Sequence, residues 1–118
     1  MVTQRFRLDV VPNDGPAYEA RMSQGDGPVH FEIQVYASKW DFRIPSGAVA
    51  TVSGRTAAGE RIEVPATITS GGTVRFDIPQ DVTAEMGRHE VEIVITGSGG
   101  EFRSTKFVLG VEGDPQLI

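Results

Sequence analysis

The chain has 118 residues, which suits one domain and is too short for two ordinary ones. Lys and Arg total 11 against 16 Asp and Glu, so the formal net charge is −5. An acidic chain without a run of basic residues repels phosphate, which argues against nucleic-acid binding. The sequence contains no cysteine, which excludes disulfides, thiolate zinc sites and cysteine nucleophiles.

No apolar stretch approaches the roughly 20 residues that a membrane-spanning helix needs. The first residues, MVTQR, lead directly into an alternating segment and lack the apolar stretch of a secretory signal. We therefore expect neither membrane insertion nor export from these residues.

The dominant pattern along the chain is alternation of apolar and polar residues, which predicts half-buried β-strands. In the clearest example, Phe31 and Ile33 alternate with Glu32 and Gln34. Turn-forming residues separate the segments at intervals of about 8–12 residues, as in antiparallel sandwiches or barrels. The predicted strands, in chain order, are 5–10, 18–22, 29–35, 40–44, 48–55, 62–68, 74–78, 91–95 and 102–111.

Four local signals interrupt this alternation. Pro65 cannot donate a ladder hydrogen bond, so it predicts a sheet edge or a bulge in its strand. The turn signal Ser70-Gly71-Gly72 predicts a hairpin between the strands on either side. Between Pro79 and Gly87 the period changes to that of one short helical turn, in which Asp81 caps the start and Gly87 follows the end. A change of parity in the last strand predicts a bulge at 104–105.

No arrangement typical of catalysis or metal binding is found. His30 and His89 are far apart in strand patterns, and two distant histidines cannot form a zinc site. The acidic residues fall mainly on outward strand positions or beside turn glycines, without the spacing of a calcium loop. The glycines of 97–100 precede a strand and not a helix, so they predict a hairpin instead of a phosphate loop. We expect no enzyme activity, no cofactor and no metal.

The aromatic residues suggest where a partner binds. A single tryptophan in a β-sandwich is either a core anchor or an exposed anchor for a partner or a sugar. Trp40 and Phe42 lie between two strand patterns that are already complete, and Tyr36 precedes them. The candidate contact residues are Trp40, Phe42, Tyr36 and Pro65, together with the C-terminal tail.

Taken in order, several short motifs resemble the N-terminal domain of phage baseplate upper proteins, which also begins some phage head-fibre proteins. The resemblance covers about residues 18 to 114. At 58–59 this chain has Ala-Gly where the family usually has Asp-Gly. The matching segments are ARMSQGD at 20–26, VHFEIQV at 29–35, IPSGA at 44–48, GTVRFDIP at 72–79, MGRHEVEI at 86–93 and STKFVLGV at 104–111.

The resemblance implies an all-β, immunoglobulin-like antiparallel β-sandwich with one short helical turn. It would form a single domain over 1–114, followed by a tail over 115–118. In that family the domain joins a receptor-binding or fibre module to the tail baseplate or the capsid, usually as a symmetric oligomer and often as a trimer. We therefore expect a virion protein, assembled in the bacterial host cytoplasm, whose partners are other virion subunits and neither nucleic acid nor membrane.

Two other classes of function stay open at this stage. A carbohydrate-binding or adhesin-type sandwich would stack sugars on Trp40 and Tyr36. A small hydrolase would need two carboxylates, or a histidine and a serine, converging in a pocket.

Overall fold

The computed structural model describes residues 3–10, 17–37, 43–69 and 72–113. Within these residues the chain is almost entirely β, as the alternation predicts. The elements are β1 (Thr3–Asp9), β2 (Glu19–Ser23), β3 (Val29–Tyr36), β4 (Val49–Arg55), β5 (Arg61–Ile68), β6 (Thr73–Ile78), α1 (Gln80–Thr83), β7 (Gly87–Gly97), β8 (Gly100–Arg103) and β9 (Phe107–Glu112).

The predicted strand at 40–44 has no counterpart in the part of the chain that the structure describes. Residues 38–42 lie outside the described residues, and Arg43 to Pro45 are not in a strand. Ile44 is partly buried and packs against the core. The apolar side chain at this position therefore reflects packing of a connection and not a strand face.

The strands hydrogen-bond in the order β1-β3-β6-β5-β4-β7-β9-β2, and β8 also pairs with β7. This sheet folds over on itself into two layers. The β1 layer consists of β1, β3 and β6, and the β2 layer consists of β2, β9, β7 and β4. Strand β5 pairs with β4 and, near its end, with β6, so it connects the two layers.

Two strand pairs correct the prediction of a wholly antiparallel sheet. Strand β1 is parallel to β3, and β2 is parallel to β9. The chain reverses direction from β1 to β2 and again from β2 to β3, but β2 lies in the opposite layer from β1 and β3. Strands β1 and β3 are therefore neighbours that run the same way, with β2 as the crossover between them.

The core lies between the inner faces of the two layers. Phe107 of β9 contacts Phe6 of β1 and Phe76 of β6, with ring centroids 5.5 Å and 6.4 Å apart. Phe31 of β3 stacks on Phe76 at 5.0 Å. Phe107 and Ile33 have no exposed surface. Full burial of such a side chain contributes about 1.5–3 kcal/mol, so these contacts hold the layers together.

The end strands β1 and β2 face each other, which makes the sheet nearly closed. The side-chain amide of Gln4 donates a hydrogen bond to the carbonyl of Arg21 at 3.1 Å. The ring of Phe6 stacks on that of Tyr18 at 4.0 Å. Among the described residues no backbone ladder joins β1 to β2, so side chains close this seam.

The short helix is present, but two details of its prediction are wrong. Pro79, in an extended conformation, precedes the first helical residue, and no side chain caps the helix. Asp81 is therefore inside the first turn and not at its cap. Gly87 does have a positive φ of 125°, but it opens β7 because the helix ends at Thr83.

The bulge in the last predicted strand is confirmed by the register. Strands β8 and β9 both lie along β7, and the three residues 104–106 between them face only two residues of β7. The Ile93 N–H donates to the Ser104 hydroxyl at 2.9 Å, and the Ser104 N–H donates to the Ile93 carbonyl at 2.9 Å. The serine side chain thus replaces a backbone acceptor where the ladder is interrupted.

Gly54 of β4 lies where β4 and β7 approach each other closely, and its substitution tests this contact. A Cβ at Gly54 would lie 2.0 Å from the Glu90 carbonyl oxygen and 2.7 Å from the Val91 Cα, both backbone atoms that cannot easily move. We expect Gly54→Ala to lower the free energy of unfolding by about 2 kcal/mol or more, since overpacking typically costs 1–3 kcal/mol. Urea titration followed by tryptophan fluorescence or circular dichroism measures this.

The matched control is Gly99→Ala, because a Cβ at Gly99 meets no atom within 4 Å. Its unfolding midpoint should stay close to that of the parent, as for most surface substitutions. Equal stability of the two variants would contradict the close approach of the strands at Gly54.

Candidate interaction surfaces

The four predicted contact residues are not brought together as one site in the part of the chain that the structure describes. Tyr36 is the last residue of β3 and is partly buried, whereas Pro65 is exposed in β5. Strand β6 lies between these two strands in the sheet. Trp40 and Phe42 lie outside the described residues, as does the tail at 115–118.

One face of the Tyr36 ring is already covered. The guanidinium carbon of Arg7 lies over this ring at 4.4 Å from its centroid. Such a cation–π contact contributes about 0.5–1 kcal/mol at an exposed site. Tyr36 could therefore offer a sugar only its other face, and the carbohydrate-binding alternative depends on Trp40 and stays a prediction.

Strand β5 changes partners along its length. Its residues Thr67 and Ile68 pair with β6. The residues before them pair with β4. Among the described residues, 61–66 have no strand on their other side. This stretch of β5 therefore has one free edge.

Hydrogen-bond alternation explains where β5 leaves β6. The Thr69 N–H donates to the Thr73 carbonyl at 2.8 Å, so the odd-numbered residues of β5 direct their backbone groups towards β6. Continuing the register from Thr67 would place Pro65 opposite Asp77. Because Pro65 has no N–H, this pair cannot form completely, and β5 remains bonded only to β4. Pro65 thus lies on a sheet edge, as its chemistry predicts.

The free edge of β5 carries an exposed pair of opposite charges. Arg61 Nη2 lies 3.1 Å from Glu63 Oε2, and the two side chains are 67% and 58% exposed. Beside them, where β5 and β6 diverge, runs a groove of about 480 Å³. It is lined by Glu63, Val64, Pro65, Thr67, Arg75, Phe76, Asp77 and Pro79.

The outer face of the β1 layer is a ladder of paired charges. Glu32 accepts a hydrogen bond from Arg5 Nε at 3.0 Å and forms an ion pair with Arg75 Nε at 3.4 Å. His30 and Asp77, opposite each other on β3 and β6, are also hydrogen-bonded. Exposed ion pairs contribute only about 0–1 kcal/mol each, so this face adds little stability. Glu32 nevertheless pairs with an arginine on each neighbouring strand.

The outer face of the β2 layer contains a second network, centred on Glu19. This carboxylate forms ion pairs with Arg88 of β7 and with Arg21 of β2, the latter at 3.5 Å. The Glu19 side chain lies over Gly110, where an added Cβ would be 3.0 Å from Oε1. A glycine at this position therefore lets the ion pair cross β9.

Farther along the same face, Arg103 of β8 lies between two carboxylates. It bonds to Glu92 of β7 and, at 3.0 Å, to Glu101. These hydrogen bonds raise the pKa of Arg103 above its ordinary value, and the bond with Glu92 has the larger effect.

His89 has a structural role. It is fully buried, and its Nδ1 accepts a hydrogen bond from the Ala57 N–H at 2.8 Å. An amide can only donate, so the proton is on Nε2, which bonds to the Glu85 carbonyl at 2.9 Å. Glu85 in turn accepts from the Ala58 N–H at 3.2 Å. The imidazole thus fixes the β4–β5 turn to the segment that follows α1.

The described residues offer no group of three or more His, Asp or Glu close enough to hold a metal ion. Within residues 3–10, 17–37, 43–69 and 72–113, no helix is long and apolar enough to cross a membrane. The two histidines, 30 and 89, lie on opposite faces of their layers, one outward beside Asp77 and one in the core. The expected lack of enzyme activity stays a prediction.

Together these features define a class: an almost entirely β domain with a tightly packed core, paired charges on both outer faces and an exposed strand edge along 61–66 of β5. The structure of the "N-terminal domain of phage TP901-1 ORF48" has a similar fold. The similarity covers 94% of this chain and 99% of that chain, with a TM-score of 0.67 and 15% sequence identity. No protein-family profile and no curated protein matches the sequence.

The role of His89 can be tested by substitution with phenylalanine, which has a similar volume. His89→Phe removes the partner of the Ala57 N–H and of the Glu85 carbonyl, which form two part-buried hydrogen bonds with the imidazole. An unsatisfied buried group costs about 1–3 kcal/mol, and partial access to water lowers this cost. We expect a loss of about 1–3 kcal/mol in the free energy of unfolding, measured by urea titration.

The control is His30→Phe, the same substitution on the outer face of the β1 layer. It removes one partly exposed pair with Asp77 and should change stability by less than about 1 kcal/mol. If His30→Phe destabilised the protein as much as His89→Phe, the bridging role of His89 would be refuted.

Proposed function

We propose that this chain is a structural domain of a phage virion that joins a receptor-binding or fibre module to the tail baseplate or the capsid. It would act through protein–protein contacts and without catalysis. The observation that carries this proposal is the fold likeness to a phage domain, which spans 94% of this chain and 99% of that one. The ordered sequence motifs over 18–114 support the same assignment.

The strand order supports an immunoglobulin-like version of the sandwich within this proposal. In that fold, strands B, E and D are neighbours in one layer, and strands C, F and G are neighbours in the other. Here β3, β6 and β5 are consecutive, and so are β4, β7 and β9. The position of β5 departs from the simplest arrangement, since β5 also pairs with β4.

The start of β1 and the end of β9 lie at the same end of the sandwich. Strand β1 begins beside the start of β3, and β9 ends beside the end of β2, just before the β2–β3 turn. This end of the sandwich is held by cross-links to α1: the Gly25 N–H donates to the Thr83 carbonyl at 3.0 Å, and Gln24 Nε2 donates to the Ala84 carbonyl at 2.9 Å. A partner that bound this end of the sandwich would contact a firmly held surface.

The partners in this proposal are other virion subunits and further copies of the chain, for example in a trimer. The location would be the tail baseplate or the head, after assembly in the bacterial cytoplasm. A net charge of −5 opposes contact with phosphate, which favours protein over nucleic acid or anionic membrane.

Immunogold electron microscopy tests the virion assignment. Antibodies raised against this chain are applied to particles purified from the phage or prophage that encodes it, with pre-immune serum as the control. We expect gold at one defined position, either the tail tip or the head surface. Particles made after disruption of the gene should lack the structure distal to that position. The proposal fails if mass spectrometry finds the chain in the soluble lysate but not in purified particles.

A further inference from the structure

The free edge of β5 presents backbone groups in a defined phase. The Thr56 N–H donates to the Glu60 carbonyl at 2.8 Å, so the even-numbered residues of β5 bond to β4. The bond between Thr69 and Thr73 at the other end of β5 gives the same phase. Arg61 and Glu63 therefore direct both their N–H and their C=O groups away from the sheet. Pro65 directs only a carbonyl.

We propose that this edge binds a second copy of the chain, with the two β5 strands antiparallel and related by a two-fold axis at Ile62. This inference rests on the self-association included in the proposed function, and it names the surface. Arg61 of each copy then lies opposite Glu63 of the other. Both are residues whose backbone groups point outward, so each such pair exchanges both of its N–H···O=C hydrogen bonds.

Charge complementarity argues for a second copy as the occupant. The exposed side chains at positions 61 and 63 are Arg and Glu, and inversion about Ile62 sets each one opposite its counter-charge. The ion pair now formed within each β5 strand, two in the dimer, would be replaced by two pairs across the interface. Opposite charges placed directly across antiparallel strands are stabilising, and like charges are destabilising.

The same residues disfavour the neighbouring register. A two-fold axis at Glu63 would place the two Glu63 carboxylates opposite each other. It would also set Arg61 opposite Pro65, which has no N–H to donate. The register centred on Ile62 avoids both defects, because Pro65 then lies beyond the paired residues. Pro65 therefore limits the paired stretch and disfavours the Glu63-centred alignment.

Charged residues and prolines on a strand edge also serve to prevent pairing. A protective edge works through charges that repel an identical edge. Residues 61 and 63 do the opposite, since their signs are self-complementary about Ile62. The two roles predict opposite responses to charge reversal, and this difference makes the proposal testable.

Sedimentation velocity over a concentration series, at low salt, measures the association. We expect a monomer–dimer equilibrium for the parent chain. Arg61→Glu and Glu63→Arg should each raise the dimer dissociation constant about tenfold or more, because two attractive pairs become repulsive. The double variant Arg61→Glu/Glu63→Arg should return it to within about threefold of the parent, since the charges again complement each other.

Lys106→Glu is the charge control, because Lys106 is exposed outside β5 and carries the same sign as Arg61. It should leave the dissociation constant nearly unchanged. A strictly monomeric parent chain at millimolar concentration would overturn the proposal. So would a dimer or trimer that is insensitive to both single variants, or a double variant that is not rescued.

Cysteine cross-linking tests the register, and the cysteine-free sequence gives a clean background. Residues in a hydrogen-bonded antiparallel pair have Cα atoms about 5.5 Å apart, within the range for a disulfide. A mixture of Arg61→Cys and Glu63→Cys chains should form disulfide-linked heterodimers under mild oxidation, and each variant by itself should form few. Efficient cross-linking of Glu63→Cys alone would instead show the Glu63-centred register.

These outcomes are separate from those that test the virion assignment. Failure of the β5 pairing leaves the immunogold result unaffected, since a virion domain could associate through another surface. Absence of the chain from particles would refute the proposed function even if the purified chain dimerised through β5.

Discussion

The missing N–H of Pro65 is the constraint from which the layered arrangement follows. At this residue the β5–β6 ladder would need a donor directed towards Asp77, and proline has none. The ladder therefore stops after two residue pairs, while the bonds from β5 to β4 continue because they use the even-numbered residues. Strand β5 thus pairs with the β2 layer over residues 61–66 and with the β1 layer only at residues 67–68. Because Pro65 has no N–H to donate to β6, folding the sheet over at this point breaks no hydrogen bond from that residue.

Folding the sheet over brings the inner rings together and leaves polar faces outside. Phe107 reaches Phe6 and Phe76 only because β9 lies across from β1 and β6. On the outer faces, Glu32 and Glu19 each join side chains from two or more strands. Stability comes mainly from the buried rings, since exposed ion pairs are individually weak. The charged ladders instead keep the outer faces polar, with carboxylates and guanidinium groups paired across strands.

The sequence predicts where the strands lie along the chain better than it predicts which strands pair and in which direction. Period-2 alternation locates β3 and β6 because their inner residues are consistently apolar, and the change of parity locates the bulge that Ser104 completes. The same pattern cannot show that β1 and β3 are parallel, since strand direction depends on which layer receives β2. It also cannot reveal the bond between His89 and Ala57, because a buried polar side chain in a strand looks like any other inward residue. The Pro65 edge was predictable because proline chemistry is local, whereas the phase of its free backbone groups depends on the pairing with β4.

The paired charges also restrict how a partner can bind this domain. A partner that docked on either outer face would have to separate ion pairs such as that of Arg5 with Glu32, and the desolvation of each charge would offset much of the new contact. The edge of β5 differs, because its outward backbone groups have no intramolecular strand partner among the described residues. Water hydrogen-bonds to these backbone groups in the free domain. A partner strand that displaces this water replaces each of these hydrogen bonds with one to its own backbone, so the net cost in hydrogen bonding is small. In a domain whose charged faces are already satisfied, backbone pairing at an edge is therefore the contact with the lowest desolvation cost.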